Sequence, residues 1–470
     1  MQLRPLLMLP ETLLFVGGLV ALLGGSFLAR DRQWVARVVA AVALVASIVA
    51  SAFALADDPA TAFEGTFAID TGTGVARIVA SVGTLLVLAL AGDELAGTVR
   101  ESETYALLLF STTGTLVLAG AQDLIVLTTG FLLASIPLYA LIGLARGPRG
   151  AEAAMKTYLM GALFGIVLML GVTILYGVSG STLYPDLAAT LAEVPPAAVG
   201  AGLLAVLAGL LFEAGGVPAH FWVPDAAQGT SGTVAAFLTT VPKIGALVGI
   251  YRLVLAMPDT VAWPLLVALL AVASMTLGNL AAYAQQDPRR LLGWSTVSQV
   301  GFLLVPVAVA GRADLAQPSL LLYLAGYTVT NIAAFAVTCA LPRRRELAAY
   351  RGLSRERPWL ALALAVALLG LVGTPPTAVF VGKLTTATAA WDGGMAWLAV
   401  AVLVNTLVSL FYYLRWIAPT FGSAEGARDA APGGTAAEVM LRWSARTAQG
   451  AALLSLAVGL GAGLVWQIVV

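Results

Sequence analysis

Lysine occurs only three times in this chain, and two of the three, Lys243 and Lys383, fall inside strongly apolar stretches. Arginine supplies the rest of the 25 basic residues, so lysine is used selectively where charge is most costly. Proton exchange is the chemistry that separates the two: a desolvated lysine can gain or lose a proton near neutral pH, whereas arginine stays charged. Lys243 follows Pro242 and Lys383 lies seven residues beyond Pro376, so each is close to a helix irregularity that can admit water. The competing reading is a lysine that snorkels to an interface or pairs structurally. Glu213, two residues ahead of Gly215-Gly216, is the carboxylate well inside an apolar run. It is either a proton carrier or a structural counter-ion for Lys243, because a buried acid is costly unless paired or neutralised. His220, the sole histidine, has the one side chain whose unperturbed pKa lies near physiological pH. A relay histidine and a hydrogen-bonded interfacial one look alike in sequence. Ser231, Thr233, Ser295, Thr296, Ser298 and Gln299 can hold a water chain between these charges, against the commoner use of hydroxyls as glue between membrane helices.

The elements that position these residues must be membrane helices. At 60% hydrophobic and 11% charged, with a mean hydropathy of +0.92, the chain needs lipid as its main solvent. Backbone groups inside lipid must be satisfied within helices or buried protein, at roughly 20 apolar residues per crossing. Fourteen apolar runs are separated by polar or Pro/Gly-rich punctuation, the first at 13–28 and the last at 448–469. Lacking a small-residue cleavage site, the first reads as a retained span. Runs 198–222 and 359–390 are long and carry breakers, Gly215, Gly216 and Pro218 in one, Gly373, Pro375 and Pro376 in the other. Both read as broken helices, in spans seven and twelve, which predicts an all-α integral membrane fold with two inverted five-helix repeats. The boundaries follow: three helices in 1–104, helices 4–8 in 105–255, helices 9–13 in 256–417, then a loop and the last helix in 418–470.

Counting Lys and Arg gives the orientation, since cytoplasmic loops keep positive charge. With both termini outside, nineteen basic residues, from Arg30 to Arg446 and including Arg428, fall on inner loops, and Arg4, Arg77, Arg252 and Arg312 fall outside. The two left over are Lys243 and Lys383. An outer loop from Ala56 to Thr73 carries Asp57, Asp58, Glu64 and Asp70 without a base, in agreement, and the Ala418 to Arg446 loop is placed on the cytoplasmic surface. Other classes are excluded. Equal numbers of acids and bases give no electrostatic case for nucleic acid. One cysteine, Cys339, and one histidine rule out a disulfide framework and Cys/His-ligated iron–sulfur or heme sites. No phosphate-binding loop or dinucleotide fingerprint occurs. No cofactor is therefore expected in this chain, and redox chemistry belongs to a partner.

Several segments carry a family resemblance. Phe131 to Leu141 (FLLASIPLYAL), Ala153 to Gly165 with Leu175 to Thr182, and VPAHFWVPDA (Val217 to Ala226) with Pro242-Lys243 resemble the proton-channel half shared by antiporter-like membrane subunits. Thr276 to Val305, GYTVTNIAAF (Gly326 to Phe335) and LVGTPPTAVFVGK (Leu371 to Lys383) resemble the second half. The SIPLYAL, KTYL and YYLR (Tyr412 to Arg415) stretches are similar to the N-type subunit of proton-translocating NADH:quinone oxidoreductases. That resemblance runs from about Glu103 to Arg415. It implies a fourteen-helix, multi-pass subunit of the cell (plasma) membrane that translocates protons among other membrane subunits of a respiratory complex. NADH, flavin, iron–sulfur clusters and quinone are then expected in partner subunits. Proton-transfer roles are implied for Lys243, Lys383 and His220, with Glu213 as the acid of the axis. The family's fifth-span glutamate falls on Leu132, its seventh-span lysine on Glu213, and a tenth-span histidine on Gln299. Either the acid has moved to Glu213 and pairs with Lys243, or conduction is altered in a structural paralogue. An Mrp-type cation/proton antiporter subunit is the other alternative.

Overall fold

The computed structural model describes residues 4–422 and 440–469. Apart from a hairpin pairing Ala60–Ala62 with Phe67–Ile69, the described residues fold into helices joined by short connections. Eleven helices are long and apolar enough to cross a membrane, or twelve if Arg442–Leu460 and Ala462–Val469, bent by 74°, form one span. The difference from fourteen apolar runs has physical causes. Pro358–Val372 and Ala378–Asp392 are each 15 residues long, too short to cross alone. Glu101–Gly120 is long but rich in Ser and Thr, which it can afford because most of it is buried between neighbours.

Burial sorts the helices into a rim and a centre. Leu9–Phe27, Trp34–Ala56, Pro148–Ser179 and Ala396–Phe421 expose large apolar side chains such as Phe15, Phe53, Ile166 and Leu403, the pattern of a lipid-facing rim. Gly232–Leu238, Val241–Leu255, Pro288–Ala308 and Ala316–Ala340 are buried along nearly their whole length and form the centre. Small residues let these central helices approach closely. A Cβ on Gly245 would lie 2.5 Å from the Thr115 carbonyl, and one on Gly301 would lie 2.5 Å from the Met275 amide.

Two expected breaks are present, each with the same local grammar. Pro196–Ala214 begins on a proline and stops at Gly215, whose φ of +78° only glycine adopts readily; the chain resumes as a helix at Trp222. Pro358–Val372 likewise stops at Gly373, with φ +91°, and resumes at Ala378. A third interruption at Thr239-Thr240 separates Gly232–Leu238 from Val241–Leu255, just before Pro242.

Arg77 and Arg252, expected in outer segments, are instead buried near span ends. Arg77 in Thr71–Glu94 forms a two-pronged ion pair with Glu11 at 2.6 and 2.8 Å, under the ring of Phe67. Glu11 is thus another buried carboxylate on a helix, but it lies in the first turn rather than well inside a span as Glu213 does. Arg252 donates to the Ala119 carbonyl (2.7 Å), Asp70 (2.5 Å) and Thr73 (2.8 Å), tying the hairpin loop to the centre. Both arginines escape the cost of burial because an acid from the adjacent loop or helix end reaches them. Arg428 and most of the Ala418 to Arg446 loop lie outside the described residues.

Burial alone raises the Asp70 carboxyl, but Arg252 and the Thr73 amide outweigh it and hold the group below the usual carboxylate range. A depressed folded-state value means that this tie stabilises the fold above the unfolded carboxyl's ~3.9 and is lost as pH falls through the lower folded value. Thermal unfolding in lipid nanodiscs should therefore show Asp70→Asn less stable than wild type by a constant margin between about pH 7 and pH 5, closing only below about pH 4. A margin that already closes near pH 6 would contradict the assignment.

Candidate functional site

A helix end leaves carbonyls without intrahelical donors, and inside a membrane water is not at hand to take them. At the first break the amides of Gly215 and Gly216 turn back onto Leu211 and Phe212, and the indole of Trp222 donates to the Phe212 carbonyl at 3.0 Å. The Glu213 carbonyl is left over. Lys243 Nζ donates to it at 2.9 Å and stands 4.6 Å over the Trp222 ring. At the second break the amides of Gly373 and Thr374 turn back onto Leu369 and Gly370. Here the leftover carbonyls are Leu371 and Val372, and Lys383 Nζ donates to them at 3.2 and 2.9 Å, over the ring of Phe302 at 3.9 Å. Both lysines are thus held alike: an ammonium on freed carbonyls at the negative end of a helix dipole, with an aromatic face as the wall.

Glu213 does not meet Lys243 as the sequence suggests. Its carboxylate accepts from Ser135 at 2.5 Å, its other oxygen has no partner among the described residues, and Lys243 is bound through the backbone instead. No carboxylate–ammonium ion pair joins them among the described residues. Glu213 and Lys243 are both fully enclosed, so geometry rather than solvent separates the charges. Leu132, one turn before Ser135, lies with Ile136, Tyr139 and Tyr158 along an apolar groove on the rim.

Between the two lysines runs a line of enclosed polar groups. Tyr327 donates to the Thr239 carbonyl at 2.7 Å and lies 3.1 Å from Thr296, while Asn331 donates to the Thr239 hydroxyl at 3.0 Å. One turn beyond Thr296, Gln299 donates at 2.8 Å to the Leu371 carbonyl that Lys383 also uses, and accepts from Tyr323 at 2.6 Å. Ser295 shares a 2.5 Å hydrogen bond with Tyr413. Of the other hydroxyls singled out in the sequence, Ser231 caps a helix, Thr233 bonds Glu94, and Ser298 bonds Asn279, which is glue rather than path. His220 packs its ring at a tilt against Phe221 and Trp294, and among the described residues no hydrogen bond ties it to Glu213, Lys243 or Lys383. Ser135, Tyr327 and Tyr413 fall inside the segments that carry the resemblance, but nothing in their residue types marks them, or Tyr323, for chemistry, since hydroxyls and aromatics are common in helices of this kind.

Glycine at each break is required twice, for its backbone and for the lysine. A Cβ on Gly373 would lie 2.9 Å from Lys383 Cδ, and one on Gly215 would lie 2.7 Å from Val223 and 3.3 Å from Lys243 Nζ. Gly394 has a similar φ of +79°, and a Cβ there would meet nothing within 4 Å among the described residues. Gly394→Ala should therefore lose only the ~1 kcal/mol of left-handed backbone strain in thermal unfolding. Gly373→Ala should lose that and a further ~1.5–3 kcal/mol as the ammonium is pushed off its carbonyls. Equal losses would show that the lysine is not held there.

The region that contains both breaks, both lysines and the polar line between them is also the region shared with known proteins. A family model described as NADH:quinone oxidoreductase/Mrp antiporter, transmembrane, matches residues 121–409. NADH-quinone oxidoreductase subunit N of Mycobacterium sp. (strain JLS) is 66% identical over 466 residues, covering 99% of this chain and 98% of that protein. A chain of respiratory complex I from Thermus thermophilus with bound Aureothin is similar with a TM-score of 0.80 at 30% identity, over 97% of this chain and 98% of that one. A chain of the Mrp complex from Dietzia sp. DQ12-45-1b has a TM-score of 0.83 over 99% and 95% of the two chains, at 23% identity a likeness of fold alone. With a family match across most of its length and a relative identical at two positions in three, the chain belongs to the NADH:quinone oxidoreductase/Mrp antiporter family of transmembrane proteins.

Proposed function

We propose that the chain is an N-type membrane subunit of an NADH:quinone oxidoreductase and that it translocates protons, driven by quinone reduction in partner subunits. The observation that carries this reading is the paired arrangement of Lys243 and Lys383, each on the freed carbonyls of a break, with enclosed hydroxyl and amide groups between them. A structural cation would be expected to sit on a carboxylate. These two sit on neutral carbonyls, which stabilise an ammonium yet leave it able to give up its proton. Glu213, Lys243 and Lys383 are the proposed proton-transfer residues. His220, near the first break but off the line, is proposed as the residue that passes protons to it. The acid held by Ser135 supports the idea that charge has moved from the fifth span to the seventh, rather than being lost.

The same reading includes fourteen membrane helices, two inverted repeats in 105–255 and 256–417 flanked by segments 1–104 and 418–470, and both termini outside. The similar placement of Gly215 and Gly373 at helix ends supports the repeats, and the loop arginines support the orientation. NADH, flavin, iron–sulfur clusters and quinone are assigned to the partner subunits.

Orientation is tested by a cysteine at Ser354, beside Arg351, Arg355 and Arg357: Ser354→Cys should resist a membrane-impermeant thiol reagent in intact cells and react once the membrane is opened. Proton transfer is tested at Lys383, because arginine keeps the charge but cannot release a proton at useful pH. In vesicles holding the assembled complex, Lys383→Arg and Lys383→Ala should both lower the protons moved per NADH oxidised, with the Arg variant still assembled. Full pumping by Lys383→Arg would leave Lys383 a fixed structural charge.

A further inference from the structure

Two enclosed hydroxyls on the far side of Lys383 have no role in the line described so far. Ser319 and Thr386 are both fully buried, and neither hydroxyl has a hydrogen-bond partner among the described residues. They are also neighbours. Ala316–Ala340 and Ala378–Asp392 pack antiparallel, and two close contacts fix their register: a Cβ on Gly326 would lie 2.8 Å from that of Ala378, and one on Gly382 would lie 2.9 Å from the Cα of Tyr323. One turn further along both helices, the same register sets Ser319 opposite Thr386. Ser319 stands one turn from Tyr323, which bonds Gln299, and Thr386 stands one turn from Lys383. Beyond them, Asp392 ends one helix and Ala316 begins the other, so about 5–9 Å of helix separates the pair from the surface bearing Arg312 and Asp314.

Two facing hydroxyls left unbonded in an enclosed site are an exception that calls for a reason, since buried polar groups are nearly always paired. Threonine in a membrane helix ordinarily bonds the carbonyl four residues back, as Thr84, Thr112 and Thr330 do here, but Thr386 does not. We propose that Ser319 and Thr386 are proton-relay residues that, with water shared between them, continue the path from Lys383 to the arginine-poor face. This rests on Lys383 being a proton carrier and adds the direction in which its proton leaves. In the transfer, an N–H bond of the Lys383 ammonium breaks and an O–H bond forms on the shared water. Each hydroxyl then accepts one proton and passes on its own, so that a neutral lysine remains and one proton reaches the surface. No electron changes hands.

The test uses the assembled complex in vesicles, comparing Ser319→Ala, Thr386→Val and their combination with Thr386→Ser and Lys383→Ala. Valine is nearly isosteric with threonine, so assembly is expected, and NADH oxidation with the vesicles made leaky serves as the check on each variant. The proposal expects the combined variant to lower the protons moved per NADH to the level of Lys383→Ala, and Thr386→Ser to restore wild-type pumping. Wild-type pumping by the combined variant, while Lys383→Ala is impaired, would overturn the relay and leave the role of Lys383 standing. Impairment that Thr386→Ser shares equally would also overturn it, because the hydroxyl would then not be the group that matters. Failure of the underlying reading looks different: Lys383→Ala and Lys383→Arg would themselves pump normally.

Discussion

A helix that stops inside a bilayer leaves carbonyl oxygens that neither the helix nor water can satisfy, and this constraint organises the molecule. Pro196–Ala214 and Pro358–Val372 both stop in this way, at glycines in the left-handed conformation. Each end retires some of its carbonyls through amides that turn back and leaves one or two for a lysine. The lysine needs those oxygens as much as they need it. An ammonium enclosed in protein is tolerable only with close acceptors, and a neutral carbonyl at a helix C-terminus is an acceptor that does not lock the proton in place as a carboxylate would. On the proposed function, stability and proton transfer come from the same contact.

Packing follows from this. The helices that carry the polar line are the most buried, and glycines such as Gly245 and Gly301 let backbones close around it. Links between distant helices are made at the irregular points: the Val217 amide donates to Ser274, Tyr327 and Asn331 bridge the interruption at Thr239, and Gln299 meets the Leu371 carbonyl. The polar groups between the lysines form two hydrogen-bonded clusters, one of Tyr327, Asn331, Thr239 and Thr296 and one of Tyr323, Gln299 and Lys383 on the Leu371 carbonyl. Around this centre the rim is apolar, and its charges are confined to span ends, where Glu11 meets Arg77 and Asp70 meets Arg252.

Much of this was legible in the sequence because its signals are strong and local. Glycine and proline mark both breaks, and the scarcity of lysine singles out Lys243 and Lys383 without any structural knowledge. What sequence could not give was partnership. Glu213 and Lys243 looked like an ion pair because both are charged and close to one break, but the chain turns the carboxylate toward Ser135 and offers its carbonyl to the lysine. Arg77 and Arg252 read as loop residues because span ends are uncertain by a turn, and their acids come from 66 and 182 residues away. The tyrosines at 323, 327 and 413 are ordinary membrane-helix residues until the fold brings them to Gln299, Thr239 and Ser295. The hairpin at 60–69 and the sharp bend after Leu460 carry no periodic pattern long enough to announce them.

The central claim is that these ammonium groups rest on backbone carbonyls, and it can be measured as a distance. With only three lysines in the chain, solid-state NMR of the protein in bilayers, labelled with 15Nζ-lysine and 13C-carbonyl leucine, can read dephasing between Lys383 and Leu371 directly. An Nζ–O distance of 3.2 Å places the carbonyl carbon within about 4 Å of the nitrogen, close enough for strong dephasing of one lysine signal. The account predicts that one signal dephases in this way and that it disappears in Lys383→Arg. Three signals that all behave as hydrated ammonium groups, with none near a leucine carbonyl, would contradict it.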